Sequence, residues 1–217
     1  MKENRKKYNL LLDLDQTLIY SIPTEEFNFD RDQGKLEKLS FYSMEGLYIV
    51  VERPYVQEFL DYIFQHFNVS VWTAATKDYA SSIIKNVILT KPERKLDFVF
   101  FSYHCGVSSR LKKNSKALKL LRENFNLFHY NLNNTFIIDD LDEIYEFQPF
   151  NCIPIPEFIF ENEASEKDDF LLKLKNEFEI EFSKSGNLQA HIKNINSKLN
   201  IPQSESRNSK KKRKRQG

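Results

Sequence analysis

Residues 10–15, LLLDLD, set the terms for the rest of the chain: an apolar run stops on two acids one residue apart. A gapless apolar run of this kind reads as a strand buried on both faces, with its last residues emerging at a sheet edge. Side chains alternate along a strand, so Asp13 and Asp15 are expected to face the same way. Carboxylates held that close repel, and ionising both is costly without a cation or a shared proton. The pair therefore points to a metal, a reaction, or both.

The same pattern returns downstream. Residues 8–14 are expected to form the first strand, and 22–38, with Pro23, Gly34 and mixed charges, an irregular segment. LSFYSM (39–44) and LYIVVE (47–52), separated by Glu45-Gly46, read as a hairpin. Pro54 precedes a helix over 55–67, whose apolar residues recur at helical spacing. Strands follow at 69–72, 96–102, 135–140 and 152–155, with helices over 78–89 and 112–125, a short one at Ile144, and closing helices over 169–182 and 187–199. Strand and helix alternate, and the core strands are apolar without alternation. That predicts an α/β fold: a parallel core sheet with helices on both faces. Ligands of such sheets bind beyond the carboxyl ends of the strands, where Asp13/Asp15, Thr73 and Asp139/Asp140 are all expected.

The organisation expected is a loose N-terminus at 1–7, one domain over 8–200 with an insertion at about 22–52, and a disordered basic tail over 201–217. The formal charge of +1 implies no general attraction to nucleic acid or membrane, but it conceals the block KKKRKR at 210–215. That block reads as a nuclear localisation signal, read by an import receptor, or as a patch binding nucleic acid non-specifically. Cys105 and Cys152 form no disulfide framework, fit a reducing compartment and read as buried apolar residues. His66, His104, His129 and His191 read as structural or surface residues. No apolar run approaches the roughly 20 residues that span a bilayer, so no membrane is expected and the chain is read as soluble and intracellular.

Four carboxylates with few neutral ligands suit a hard cation, Mg²⁺ before others, and no Cys or His spacing suggests zinc. A phosphate beside such a cation calls for a nucleophile, which an aspartate can supply, and for a second acid to protonate the leaving oxygen. In these residues the chain resembles the haloacid dehalogenase superfamily of phosphatases, whose first motif stands here as Asp13-Leu14-Asp15-Gln16-Thr17. Within it the chain is most similar to the Fcp/Scp group, which dephosphorylates the C-terminal repeat domain of RNA polymerase II. The likeness runs from about Leu10 to Phe158 through DLDQTL, Arg53-Pro54, Trp72-Thr73-Ala74 with Tyr79, Cys105, IIDD and Asn151-Cys152-Ile153-Pro154-Ile155.

The resemblance implies a Rossmann-like three-layer α/β/α sandwich without a large cap. It makes Asp13 the nucleophile and a Mg²⁺ ligand, and Asp15 the general acid and base, with its carbonyl on the metal. Thr17 would steady Asp15 and its loop and lie among the phosphate-contacting residues, Thr73 would bind a phosphate oxygen, and Asp140 would complete the metal shell with Asp139 beside it. The phosphate-binding lysine is expected at Lys116, with Lys113 as runner-up. Tyr79 and Tyr48 occupy positions where relatives hold a substrate proline. Ser102 departs from the group, whose members often carry an Arg three residues before the Cys. A hairpin-sized insertion favours a phosphoprotein substrate, including polymerase-like tails. The alternatives are a weakly catalytic binding or scaffold protein and a phosphatase of nucleic-acid ends or small phosphates.

Overall fold

In the computed structural model, residues 6–200 are described. Their elements, in order, are β1 (Asn9–Leu12), β2 (Ile19–Pro23), α1 (Phe29–Leu36), β3 (Phe41–Met44), β4 (Tyr48–Glu52), α2 (Val56–His66), β5 (Asn68–Trp72) and α3 (Lys77–Ile83), which runs on as a π-turn through Ile84–Ile88. Then come β6 (Leu96–Phe100), α4 (Ser102–Lys112), α5 (Lys119–Glu123), β7 (Thr135–Asp139), α6 (Asp142–Phe147), β8 (Cys152–Pro154), α7 (Phe170–Phe182) and α8 (Leu188–Lys198). Residues 1–5 of the expected loose N-terminus, and all of the expected basic tail, lie outside the described residues. Lys6 is tied down: its N–H donates to Asn68 Oδ1 at 3.1 Å and its ammonium reaches the Phe64 and Phe67 carbonyls at the end of α2.

The main sheet has the order β6-β5-β1-β7-β8, and every pair in it is parallel. All four residues of β1 are buried, as its apolar run predicts. Strand alternation then divides the core. Leu10 and Leu12 join Phe59, Ile63, Phe178 and Ile192 on the side of α2, α7 and α8. Leu11 joins Trp72, Cys105, Leu118, Leu121 and Ile144 on the side of α4, α5 and α6. These are the three layers expected. From β1 the chain builds outward to β5 and β6, then returns to add β7 and β8 on the other side. The strand order reverses at β1 and β7, which opens a crevice at their carboxyl ends.

Two local expectations are corrected. The insertion is more than a hairpin: β2, β4 and β3 form an antiparallel sheet, with α1 inside the segment expected to be irregular. Asn28 starts α1 by accepting from the Arg31 N–H at 3.0 Å. Ile22, Leu36, Ile49 and Val51 then bury against Phe158 and Phe160, giving the insertion its own small core. The helix expected over 112–125 is not continuous. α4 ends where Lys113 turns left-handed (φ 56°), the Lys116 N–H donates to Asn114 Oδ1 at 3.0 Å, and α5 starts only at Lys119. The break carries Lys116 inward. The helix over 102–112 is unexpected because Ser, Gly and His dilute its apolar face.

Candidate active site

Asp13 follows β1, Thr73 follows β5, Asp139 ends β7 and Asp140 comes next, so three strand ends bring their polar residues to the crevice. Lys116 enters from the turn between α4 and α5, 1% exposed, and its ammonium donates to Asp13 Oδ1 at 2.6 Å and to Asp139 Oδ2 at 2.7 Å. Lys113, the other candidate, is exposed. The Thr17 hydroxyl lies 3.1 Å from Asp13 Oδ2 and 3.3 Å from Asp140 Oδ1. It thus serves that carboxylate pair, where the sequence reading set it beside Asp15. Thr73 is 1% exposed and its Oγ1 accepts from the Ala75 N–H at 3.1 Å, which leaves the hydroxyl proton for another acceptor.

One oxygen each from Asp13, Asp139 and Asp140 fall within 4.8 Å of one another, all on buried residues. Burial pushes the Asp139 carboxyl up, against the pull of Lys116. Burial also pushes Asp140 up, and the charges of Asp13 and Asp139 add to it. Lys116 is raised: burial opposes its charge, but the two carboxylates outweigh burial. Three carboxylates against one ammonium leave two formal negative charges when all are ionised, in a site made only of hard oxygen donors. A divalent hard cation fits that donor set and charge. Asp139 is already engaged on both oxygens, with Lys116 and with the Leu141 N–H at 3.0 Å. Asp13 and Asp140 are therefore the residues that would hold the ion, with Asp139 pinning Lys116.

Asp15 stands apart from this triad. β1 stops at Leu12, and the chain turns through Gln16 in the left-handed region (φ 61°), closed by Leu18 N–H to Leu14 O at 2.8 Å and Gln16 N–H to Ile19 O at 2.8 Å. The half-buried Asp15 accepts at Oδ1 from the Tyr79 hydroxyl at 2.5 Å. Burial raises its carboxyl, against that hydrogen bond. Tyr79 meets Tyr48 edge-on, ring centroids 5.8 Å apart, so the two candidate substrate residues form one aromatic wall beside Asp15.

Several supporting residues carried no role in the sequence reading. The fully buried Arg53 guanidinium donates to Thr17 O at 3.2 Å and Pro156 O at 3.0 Å and grips Asp168 with two bonds of 3.0 and 2.9 Å. It thereby fixes the loop that carries Asp13 to Thr17; the Arg53-Pro54 motif was its only signal. Gln148 brackets the lysine turn, donating to Lys116 O at 2.9 Å and accepting from the Leu118 N–H at 3.1 Å, with nothing in the sequence to announce it. Cys105 is buried, and its thiol donates to Thr73 O at 3.4 Å.

The chain has recognisable relatives. A family model described as NLI interacting factor-like phosphatase matches residues 8–189. A CTD phosphatase-like protein of Invertebrate iridescent virus 6, named 355R, is 45% identical over 172 residues, covering 77% of this chain and 94% of that protein. Its namesake in Invertebrate iridescent virus 3 is 38% identical over 187 residues, covering 82% of this chain and 98% of that protein. An RNA polymerase II C-terminal domain phosphatase of Schizosaccharomyces pombe is 28% identical over 181 residues, which is 77% of this chain and 23% of that protein. Among solved structures, fission yeast Fcp1 bound to beryllium fluoride matches 96% of this chain with a TM-score of 0.50, and a second Fcp1 structure 89% with 0.52, each at 18% identity. This chain spans 66% and 61% of those two, less than two thirds of either, and the likeness there is one of fold.

Proposed function

This chain belongs to the NLI interacting factor-like phosphatase family, the CTD phosphatase-like group of the haloacid dehalogenase superfamily, and from that premise we propose a Mg²⁺-dependent phosphoserine/phosphothreonine phosphatase that works through an aspartyl-phosphate on Asp13. The observation that carries the proposal is the buried contact of Lys116 with Asp13 and Asp139, beside Asp140, at the point where the strand order reverses.

Asp13 is the nucleophile. One of its carboxylate oxygens forms a bond to phosphorus as the bond from phosphorus to the seryl oxygen breaks, and Asp15 gives that oxygen a proton. In the second half, Asp15 takes a proton from water, the water oxygen bonds to phosphorus, and the bond to Asp13 breaks to release inorganic phosphate. Lys116 and Thr73 supply donors to the phosphoryl oxygens, whose charge grows in the transition state, while Thr17, expected among those donors, spends its one proton on the Asp13 and Asp140 carboxylates. Asp13 and Asp140, with the Asp15 carbonyl, would hold Mg²⁺, which would supply Lewis-acid neutralisation of that charge.

The substrate in this reading is a phosphorylated segment of a protein, a polymerase C-terminal tail among the candidates, since a relative named for that substrate aligns with 77% of the chain at 28% identity. The Tyr48–Tyr79 wall would receive the residue beside the phosphate. A nuclear address carried by KKKRKR, read by an import receptor, accords with such a substrate.

The test is hydrolysis of a phosphoserine peptide and of a 3′-phosphate oligonucleotide, with Mg²⁺ or with EDTA. The peptide is expected to be hydrolysed only with Mg²⁺ and faster than the oligonucleotide. Turnover unchanged in Asp13→Asn would defeat the mechanism, preference for the oligonucleotide would replace the substrate class, and peptide binding without turnover would leave a phosphopeptide-binding protein.

A further inference from the structure

The Tyr79 hydroxyl lies 2.5 Å from Asp15 Oδ1 and 2.5 Å from Ser21 Oγ. A phenol has a single proton. If it goes to the carboxylate, the stronger acceptor, then Ser21 must donate to Tyr79, and the three groups form a directed chain from Ser21 through Tyr79 to Asp15. Its members come from different parts of the fold: Ser21 from β2 of the insertion sheet, paired with Val50, Tyr79 from α3 of the main domain, and Asp15 from the loop after β1. The phenol ring is itself held, edge-on to Tyr48 and packed against the main core. A carboxylate on a loop has two rotatable bonds, and general acid–base catalysis requires one of its oxygens within hydrogen-bond reach of the reacting atom.

From this geometry we infer that Tyr79, held by Ser21, is a positioning residue: its hydroxyl claims Asp15 Oδ1 and so turns Oδ2 to the substrate as the oxygen that exchanges protons. The inference rests on Asp15 being the acid and base of the proposed phosphatase. It gives Tyr79 a task different from contact with substrate. The hydroxyl is committed inside the protein, and only the ring is left for a partner. It also makes the insertion sheet part of the catalytic apparatus, because Ser21 is a residue of that sheet.

Tyr79→Phe keeps the ring against Tyr48 and deletes only the hydroxyl. kcat/KM, which reports transfer to Asp13, is measured with a phosphoserine peptide, whose alkoxide needs a proton to leave, and with 4-nitrophenyl phosphate, whose leaving group departs as a stable anion. The expected result is a loss of about 10- to 100-fold on the peptide and a clearly smaller one on the aryl ester. Peptide affinity, measured in an Asp13→Asn background, should not change. Ser21→Ala should give a smaller loss of the same pattern, and the double variant should match Tyr79→Phe alone, because Ser21 acts only through Tyr79. Equal losses on both substrates, a loss explained by weaker peptide affinity, no loss, or additive losses in the double variant would each overturn the inference while the wild-type protein stays active. A wild-type protein no more active than Asp13→Asn would instead bring down the phosphatase reading, and this inference with it.

Discussion

Removing the Lys116 charge tests the site through stability alone, without reference to any substrate. Lys116→Met keeps most of the stem and deletes the ammonium that lies 2.6 Å from Asp13 and 2.7 Å from Asp139. At an effective dielectric constant of about 20, each contact is worth about 6 kcal/mol of gross attraction. Desolvation of the ammonium offsets much of that. What the variant cannot offset is the group of buried carboxylates left without a counter-charge, and breaking a buried pair from one side costs about 3–5 kcal/mol. For a domain of this size that corresponds to a fall in Tm of roughly 6–20 °C. The assay is urea and thermal unfolding of both proteins in buffer with EDTA. The pH dependence has a definite sign. Burial already places the Asp139 and Asp140 carboxyls above their unfolded values, and loss of the ammonium raises them further. The folded variant then binds more protons than the unfolded chain, so its stability falls as pH rises. The deficit should be largest at about pH 8 and shrink towards about pH 5, as the carboxylates take up protons. A deficit under about 1 kcal/mol at neutral pH, the order of an exposed ion pair, or one with no pH dependence, would refute the reasoning.

Other substitutions probe the frame around the site. Arg53→Met strands the half-buried Asp168 and the carbonyls of Thr17 and Pro156; a loss of about 3–5 kcal/mol in urea unfolding is expected. Gly186→Ala places a Cβ 2.9 Å from His191 Cε1, a ring packed against Phe182 and Tyr8, and should cost about 1–3 kcal/mol by the same measurement. The Lys184 ammonium first, with Asn194 and Lys198, holds the Glu181 carboxyl at about 2, against an ordinary 4.5. Its stabilisation is present above the ordinary value and is lost as pH falls from about 4.5 towards 2, so Glu181→Gln should flatten the acid limb of a plot of Tm against pH.

What the sequence disclosed follows from how local each signal is. Apolar runs ending in acids exposed the strands and the two aspartate groups, because burial on both faces and a polar strand end are properties of a few consecutive residues. Lys116 was legible only through the family resemblance, which places a lysine just ahead of an apolar helix, and the surrounding turn was read as helix. α1 was missed because FDRDQGKL has two large apolar residues and buries only Leu36, Phe29 staying exposed, and its core is completed by Phe158 and Phe160, far along the chain. The contact of Tyr79 with Asp15 and Ser21 spans 64 and 58 residues, and that of Arg53 with Asp168 spans 115. Such partners are chosen by the packed fold and leave no spacing to read.

The reversal of strand order also sets a clock on biosynthesis. Thr17 and Asp140, which share a hydrogen bond, are separated by 123 residues. At about 5–20 residues per second, a ribosome takes on the order of ten seconds to make the intervening chain. Until residue 116 is made the nascent β1 has no Lys116 to neutralise Asp13, and until residue 135 it has no β7 to pair with. The first strand to be synthesised is thus among the last to be fully paired, and premature termination anywhere before residue 135 would release a chain with half a pocket and an open, apolar strand edge.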